Sequence, residues 1–453
     1  MNKRFLPLVL LAALTTAPLA AQAPFSVSSG LFNADNTNTL GLSVADGTET
    51  VTVFAPSDAS DHFSNGVVMA SFKDALYCMW QSSKTDEDSQ DTWVAYARST
   101  DQGQTWSEPM VLAATIDDGY CSSGGWLVTA DSLVGYINTW PASLDPKGGY
   151  TRYVASADGL TWTAPADVLM ADGSRLDGIF EQDPHRLSNG RIVNAAHFQP
   201  GLHIAPIYTD DASGVRGWKK GTFTYTDNGS QSVEMEPSLF EQEDATLVMI
   251  FRDQKSSYFK LAATSKDAGL TWSKAVKTNM PDARTKQSAG NLPDGTAYMA
   301  GNPVSNKRRV PLVLSLSRDG KLFDHAVLLR SDDDIQPLRY SGKAKSANSG
   351  YSYPKSMVAG DYLYVAYATN KEDVEYTRVP LSAISLNSIG LQQMETLPRV
   401  TAFALYSLEG RLLYQSSEGE DFEDLDKSTL GRGMYILRTT DGKTVRAKVV
   451  AVD

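Results

Sequence analysis

The segment Ser99-Thr100-Asp101-Gln102-Gly103-Gln104-Thr105-Trp106 is one copy of a pattern that returns along the chain. Ser156-Ala157-Asp158-Gly159-Leu160-Thr161-Trp162 is a copy one residue shorter, and Ser265-Lys266-Asp267-Ala268-Gly269-Leu270-Thr271-Trp272 is a full one. Ser317-Arg318-Asp319-Gly320-Lys321-Leu322-Phe323 is worn, with Phe in place of Trp. Each reads as a hairpin turn: Ser and Asp oxygens accept backbone N–H groups inside the turn, and Gly supplies positive φ. Thr and Trp then open the next strand. The flanks agree, since Trp93–Ala97 and Tyr258–Ala263 are short aromatic and β-branched runs. The copies begin at 99, 156, 265 and 317, so the intervals are 57, 109 and 52, the middle one double a single period. A turn is therefore expected near 209, at Tyr208-Thr209-Asp210-Asp211 ahead of Trp218, and one more period reaches Thr369–Asp373. Six turns at this spacing predict six four-stranded blades between about Val51 and Leu386. Helical periodicity is nearly absent. The expected fold class is all-β: a six-bladed β-propeller followed by a small C-terminal β-sandwich.

The two ends differ from the repeats. Asn2-Lys3-Arg4, the apolar run Phe5 to Ala20 and the small residues of Ala21-Gln22-Ala23 have the layout of a secretory signal peptide, with cleavage expected after Ala23. The run is short for a membrane span and no second one is longer, so no stable span is expected. The domain layout is then signal 1–23, propeller 24–393 and C-terminal sandwich 394–453. In the last, Val400–Tyr406, Leu408–Tyr414, Gly433–Arg438 and Val445–Val450 read as strands joined by Glu-Gly and Asp-Gly turns. The net charge of -12 argues against nucleic acid and against an anionic membrane surface. It leaves room for a local basic pocket that takes an anionic sugar. Cys78 and Cys121 form no disulfide framework, and a single pair or two buried thiols both stay open.

The repeated turn is the Asp box, and in it the chain resembles the sialidase (neuraminidase) superfamily of BNR-repeat propellers. The boxes themselves sit on outer turns and carry no chemistry. The resemblance implies a secreted glycan-cleaving enzyme with a glycan or glycoconjugate substrate, most simply an exo-α-sialidase-like glycoside hydrolase, and no cofactor or metal. The closing pattern Gly433-Met434-Tyr435-Ile436-Leu437-Arg438, then Asp441-Gly442-Lys443-Thr444-Val445-Arg446-Ala447-Lys448-Val449-Val450, resembles the sorting domain of the Bacteroidetes type IX secretion system. That implies the type IX machinery as a partner, export through the periplasm, and a secreted or cell-surface location. An ordinary carbohydrate-binding or spacer sandwich is the alternative.

A sialidase cleaves beside a sugar carboxylate, where a carboxylate nucleophile would be repelled. The family uses a tyrosine activated by a Glu, an Asp acid, and three Arg on the substrate carboxylate. Glu236-Pro237-Ser238 followed by Leu247–Arg252 resembles the segment carrying the Glu and the second Arg, which places Glu236 and Arg252 in those roles. Lys307-Arg308-Arg309 before Val310–Ser315 resembles the third-Arg strand, with Arg309 the better match and Arg308 the alternative. Ser349-Gly350-Tyr351-Ser352, running into Tyr353-Pro354, resembles the nucleophile segment, with Tyr351 chosen and Tyr353 close enough to be confused with it. Asp86, in Lys84–Asp88, lies where the family places its acid. The first Arg is missing: its stretch reads His62-Phe63-Ser64-Asn65. Losing one charged hydrogen bond, worth roughly 1.5–3 kcal/mol, weakens carboxylate binding.

Three of the five histidines fall close together, at His185, His197 and His203. Propeller polysaccharide lyases use His, Tyr and Arg to take the proton α to a uronate carboxyl. His185, His203 and Arg252 would fill those parts, with His197 also on substrate; His197 and His203 as metal ligands is a further alternative. A non-catalytic glycan-binding propeller is the third reading. Aromatic and amide side chains at Trp80, Gln81, Trp126, Asn138, Trp140, Gln199 and Asn302 suit sugar binding under each.

Overall fold

A computed structural model describes residues 22–340 and 349–387, and the segments 402–407, 411–416, 433–440 and 445–452. The signal segment 1–21 lies outside the described residues. The chain divides into two compact units, one ending at Asn387 and the other beginning at Ser388.

The first unit is a ring of six antiparallel sheets. From the innermost strand outwards, blade 1 is Phe63–Phe72, Ala75–Ser83, Trp93–Ser99 and Met110–Ala113, and blade 2 is Gly119–Val128, Leu133–Pro141, Tyr150–Ser156 and Ala166–Asp167. Blade 3 has a broken inner strand, Gly178–Phe180 and His185–Arg186, then Ile192–Phe198, His203–Thr209 and Lys219–Lys220. Blade 4 is Glu234–Glu241, Leu247–Asp253, Phe259–Ser265 and Val276–Pro281; blade 5 is Ser288–Asn291, Ala297–Gly301, Leu312–Ser317 and His325–Arg330. Blade 6 supplies only Tyr351–Ala359, Tyr362–Thr369 and Asp373–Pro380, and its outer strand is Glu49–Phe54 from the beginning of the chain. Among the described residues there is no α-helix, only a short 3₁₀ turn at Leu381–Ala383. Apolar side chains of facing blades fill the seams; Tyr77, Val94, Trp126 and Ile137 form one such cluster between blades 1 and 2.

The Asp boxes join third strands to outer strands. In the first, Ser99 Oγ donates to Asp101 and accepts from the Gly103 N–H at 2.8 Å, while Asp101 accepts the Thr105 N–H at 2.9 Å. The box glycines also seat each blade against the one before it. The Tyr376 hydroxyl of blade 6 donates to the Gly103 carbonyl at 3.1 Å, and that of Tyr136 in blade 2 donates to Gly214 in blade 3 at 2.8 Å. At Gly159, a Cβ would lie 1.8 Å from the Tyr77 hydroxyl and φ is +73°, so only glycine fits. The turn expected near 209 is an enlarged box, in which Asp211 and Ser213 replace the usual spacing ahead of the fully buried Trp218. The turn expected at Thr369–Asp373 is not a box. It joins the second and third strands of blade 6, at the opposite end of the blade. Blade 6 needs no outer turn, because its outer strand arrives from Glu49–Phe54.

Among the described residues of the second unit, four strands form an antiparallel sheet in the order Leu412–Gln415, Ala402–Tyr406, Gly433–Thr440, Val445–Val452. Phe403, Leu405 and Leu437 form its small core.

Candidate active site

Residues at or just before the six inner-strand starts (Asn65, Tyr120, Ile179, Met235, Lys286 and Tyr353) line one pocket of about 180 Å³. The strands are bent there on purpose. Pairing registers shift between Asn65 and Val68, Ser123 and Gly125, Met235 and Ser238, and Ser352 and Lys355. A bulge of this kind leaves one or two residues outside the ladder and re-aims their side chains. The bulged pairs of blades 4 and 6 are Glu236-Pro237 and Tyr353-Pro354, and the break in blade 3 contains Asp183-Pro184. Proline has no N–H to leave unpaired, so it suits a position that has left the ladder. Glu236 and Tyr353 both carry positive φ, +50° and +54°. That conformation costs a non-glycine residue about 1–2 kcal/mol and persists where neighbours fix it. Around Glu236 they do: its N–H donates to His197 Nε2 at 3.1 Å, and its carbonyl accepts from Gln287 at 3.2 Å. His197 lines the pocket, but its Nε2 is spent on this backbone. Burial lowers its pKa, in keeping with a neutral ring that accepts at Nε2.

Cations gather around the Tyr353 ring. The Arg309 guanidinium is 4.5 Å from its centroid, Lys286 Nζ 5.0 Å and Lys371 Nζ 5.3 Å. Arg252 pairs with Glu236 at 3.0 Å, Lys286 with Glu181 at 2.5 Å and Lys371 with Glu87 at 2.8 Å. Arg309 is different: it is buried, its Nη1 donates to Ser352 Oγ at 2.9 Å, and among the described residues no carboxylate pairs with it. Burial opposes the charge on Glu236, but Arg252, Lys286 and Arg309 outweigh it and hold the carboxyl well below its ordinary range. Where a first arginine was expected in blade 1, the cation over Phe63 is Lys371, reaching in from blade 6 at 5.5 Å. On the far wall Asp88 accepts the Tyr120 hydroxyl at 2.5 Å and pairs with Lys147 at 2.7 Å. Lys147 covers the stacked rings of Tyr120 and Trp140.

Of the residues singled out in the sequence, Glu236, His197, Gln81 and Trp140 line this pocket, while Arg252 and Arg309 stand behind the lining, Arg252 paired with Glu236 and Arg309 against the Tyr353 ring. Tyr351 does not line it. It is fully buried in the seam between blades 5 and 6, where its hydroxyl donates to the Ser331 carbonyl at 2.8 Å. In an unbroken strand Tyr351 and Tyr353 would share a face; the bulge after Ser352 separates them and turns Tyr353 into the pocket. Asp86 also falls outside the lining. Its carbonyl accepts the hydroxyls of Ser83 and Ser89 and its side chain the Glu87 N–H. It thus builds the turn that presents Glu87 and Asp88 to the pocket. His185 lies 3.4 Å from Glu241 and lines a separate cavity of about 230 Å³, farther along the inner strands of blades 3 to 6. His203 stands beside Tyr225 and 3.8 Å from Asp227. Arg308 is a surface residue paired with Asp332. Sequence reasoning missed Lys286, Lys371, Glu181, Glu87 and Asp88. Polar-residue-then-proline pairs stand at 183, 236 and 353, but also at 108, 145, 199, 302 and 336, so they do not by themselves pick out the pocket. Cys78 and Cys121 are both free and buried. Among the described residues no three His, Cys, Asp or Glu are placed to hold a metal ion.

Two residues past Tyr353, Lys355 is 1% exposed and its Nζ has no hydrogen-bond partner among the described residues. Burial first, and then the charge of Lys286, brings its pKa from 10.5 down to about 8. The unfolded chain therefore holds more protons than the folded one between those values, and stability rises with pH across that window. Below it the penalty is fully present, on the order of 3 kcal/mol. Lys355→Met is expected to stabilise the protein at pH 7 by about 2–3 kcal/mol and to flatten the profile above pH 8. Urea midpoints across this range check it, and a less stable variant at pH 7 would contradict it.

Residues 74–365 match the family described as BNR repeat-like domain, and the chain belongs to that family. Its fold is shared by solved structures of low sequence identity. A protein of unknown function from Dyadobacter fermentans is 15% identical with a TM-score of 0.55, the match covering 74% of this chain and 99% of that one. The NanB sialidase of Streptococcus pneumoniae is 13% identical (TM-score 0.57; 74% and 71% covered). The intramolecular trans-sialidase of Ruminococcus gnavus is 14% identical (TM-score 0.52; 76% and 100% covered). No curated protein sequence matches the chain. Among the described residues no helix is long and apolar enough to cross a membrane.

Proposed function

We propose that this protein is a sialidase-type glycoside hydrolase that takes a sugar bearing one carboxylate, with Tyr353 as the nucleophile. The observation that carries the reading is the charge pattern of the pocket. Arg252, Lys286 and Lys371 each have a carboxylate of their own, and Arg309 has none among the described residues. One substrate carboxylate on Arg309, shared with Arg252, completes the set. That same carboxylate draws Arg252 away from Glu236, which raises the proton affinity of Glu236 as the substrate arrives. Glu236 then takes the phenolic proton while Tyr353 Oη bonds to the anomeric carbon. The leaving oxygen receives a proton from Asp88 of the 84–91 loop, which lines the pocket, while Glu87 stays ionised against Lys371. Water then adds to the anomeric carbon and breaks the sugar–tyrosine bond, the loop carboxylate taking the water's proton and Glu236 returning its own to Tyr353.

The lyase reading needs His185 or His203 beside the sugar, and neither lines this pocket. A product assay on sialosides and on uronic-acid polysaccharides separates the readings. Free sialic acid is expected. A product absorbing in the ultraviolet through a new C=C bond would replace the hydrolase with a lyase, and no product from either panel would leave a glycan binder.

A further inference from the structure

The chain crosses from blade 4 into blade 5 through residues 282–287, and Asp282, Ala283, Thr285, Lys286 and Gln287 of this crossing are each at most 3% exposed. A buried crossing must find partners for its polar groups inside the protein. One side chain reaches three points of it. Lys260, on the third strand of blade 4, is itself 2% exposed. Its ammonium pairs with Asp282 Oδ1 at 2.7 Å and donates to the Thr285 carbonyl at 2.7 Å and to Gln287 Oε1 at 2.6 Å. All three of its protons are thereby used.

Stability does not explain this pair. Burial opposes both charges, lowering the pKa of Lys260 and raising that of Asp282 in spite of their mutual attraction. Buried ion pairs are often no better for stability than well-packed apolar residues of the same volume. What the pair fixes is direction. The two ends of a glutamine amide have nearly the same shape, but only the oxygen can meet a cation. Lys260 therefore turns the NH₂ of Gln287 the other way, where it donates to the Glu236 carbonyl at 3.2 Å and to the Ile250 carbonyl at 3.1 Å. That carbonyl is one of the two anchors that keep Glu236 at positive φ, and the His197 contact is the other. Lys286 lies between the two pinned residues Thr285 and Gln287. The same pins carry it to Glu181 and to the Tyr353 ring.

We propose that Lys260 and Asp282 are positioning residues, which act through Gln287 and Thr285 to hold Glu236 and Lys286 in place beside Tyr353. The catalytic use of those places rests on the hydrolase reading; the holding does not. Lys260→Met alone leaves Asp282 as an unpaired buried charge, so the test combines it with Asp282→Leu. The full-length double variant is expected to unfold at a urea concentration close to that of the wild type. On a sialoside its kcat should fall roughly tenfold while KM changes by less than about threefold, because Arg309 is left alone. Gln287→Met, which removes the donor to the Glu236 carbonyl outright, should lose roughly tenfold to a hundredfold with the same split. A double variant that does not fold makes the pair structural and overturns the proposal. So does one with unchanged kcat, or one whose loss lies in KM. Where the wild-type chain itself cleaves no sialoside, the hydrolase reading falls and the crystal structure of the double variant decides. A displaced Glu236 carbonyl or Lys286 ammonium upholds the positioning role, and both unmoved overturn it.

Discussion

Tyr353→Phe is expected to cut turnover of a sialoside by roughly a thousandfold or more while leaving substrate affinity nearly unchanged. Only the hydroxyl is lost. The ring that Arg309, Lys286 and Lys371 surround remains, so the electrostatics of the pocket stay in place. Tyr351→Phe is the matched control. It removes a hydroxyl bonded to the Ser331 carbonyl in the core, which should lower stability by about 1 kcal/mol and leave kcat alone. Steady-state kinetics on both variants, with denaturation midpoints beside them, decide the matter. A normal kcat in Tyr353→Phe, or a dead Tyr351→Phe that is still folded, would reverse the assignment.

Arg309→Met is expected to lower kcat/KM on a carboxylate-bearing sugar by roughly a hundredfold to a thousandfold, most of it in KM. The guanidinium is buried and pairs with no carboxylate among the described residues, and the proposed function has the ligand supply its counter-charge. Methionine keeps much of the volume and removes the charge and the donors. The loss should therefore vanish on a substrate analogue whose carboxylate is replaced by a carboxamide. If the variant loses activity equally on both, Arg309 supports the fold of the Ser352–Tyr353 bulge and does not read the substrate.

The blade repeat was readable in the sequence because an Asp box is local. Ser99, Asp101, Gly103 and Thr105 satisfy one another within a single turn, so their spacing records their geometry. The site was readable only where a motif and a strand coincided, at Glu236, Arg252 and Arg309. Tyr353 was hidden by two residues, since periodic reasoning assumes an unbroken strand and the inner strand of blade 6 is bulged there. Asp86 was chosen from an acidic run in which the turn, not composition, decides which carboxylates reach the pocket. Lys286 and Lys371 lie in stretches with no motif, and their role arises from ring geometry alone. The turn at Thr369–Asp373 matched the period by chance of length, and it serves the pocket through Lys371.

The loan of Glu49–Phe54 to blade 6 orders events in time. Its partners run from Val374 to Arg378, so Thr52 and the Glu375 it bonds are 323 residues apart. A contact of that range costs more loop entropy than any turn within a blade and is expected among the last to form. The pocket draws on all six inner-strand starts, and the cations nearest Tyr353 come from blades 5 and 6. A chain still emerging from its ribosome holds these groups far apart. The pocket is therefore expected to be complete only once the first strand has met the last blade.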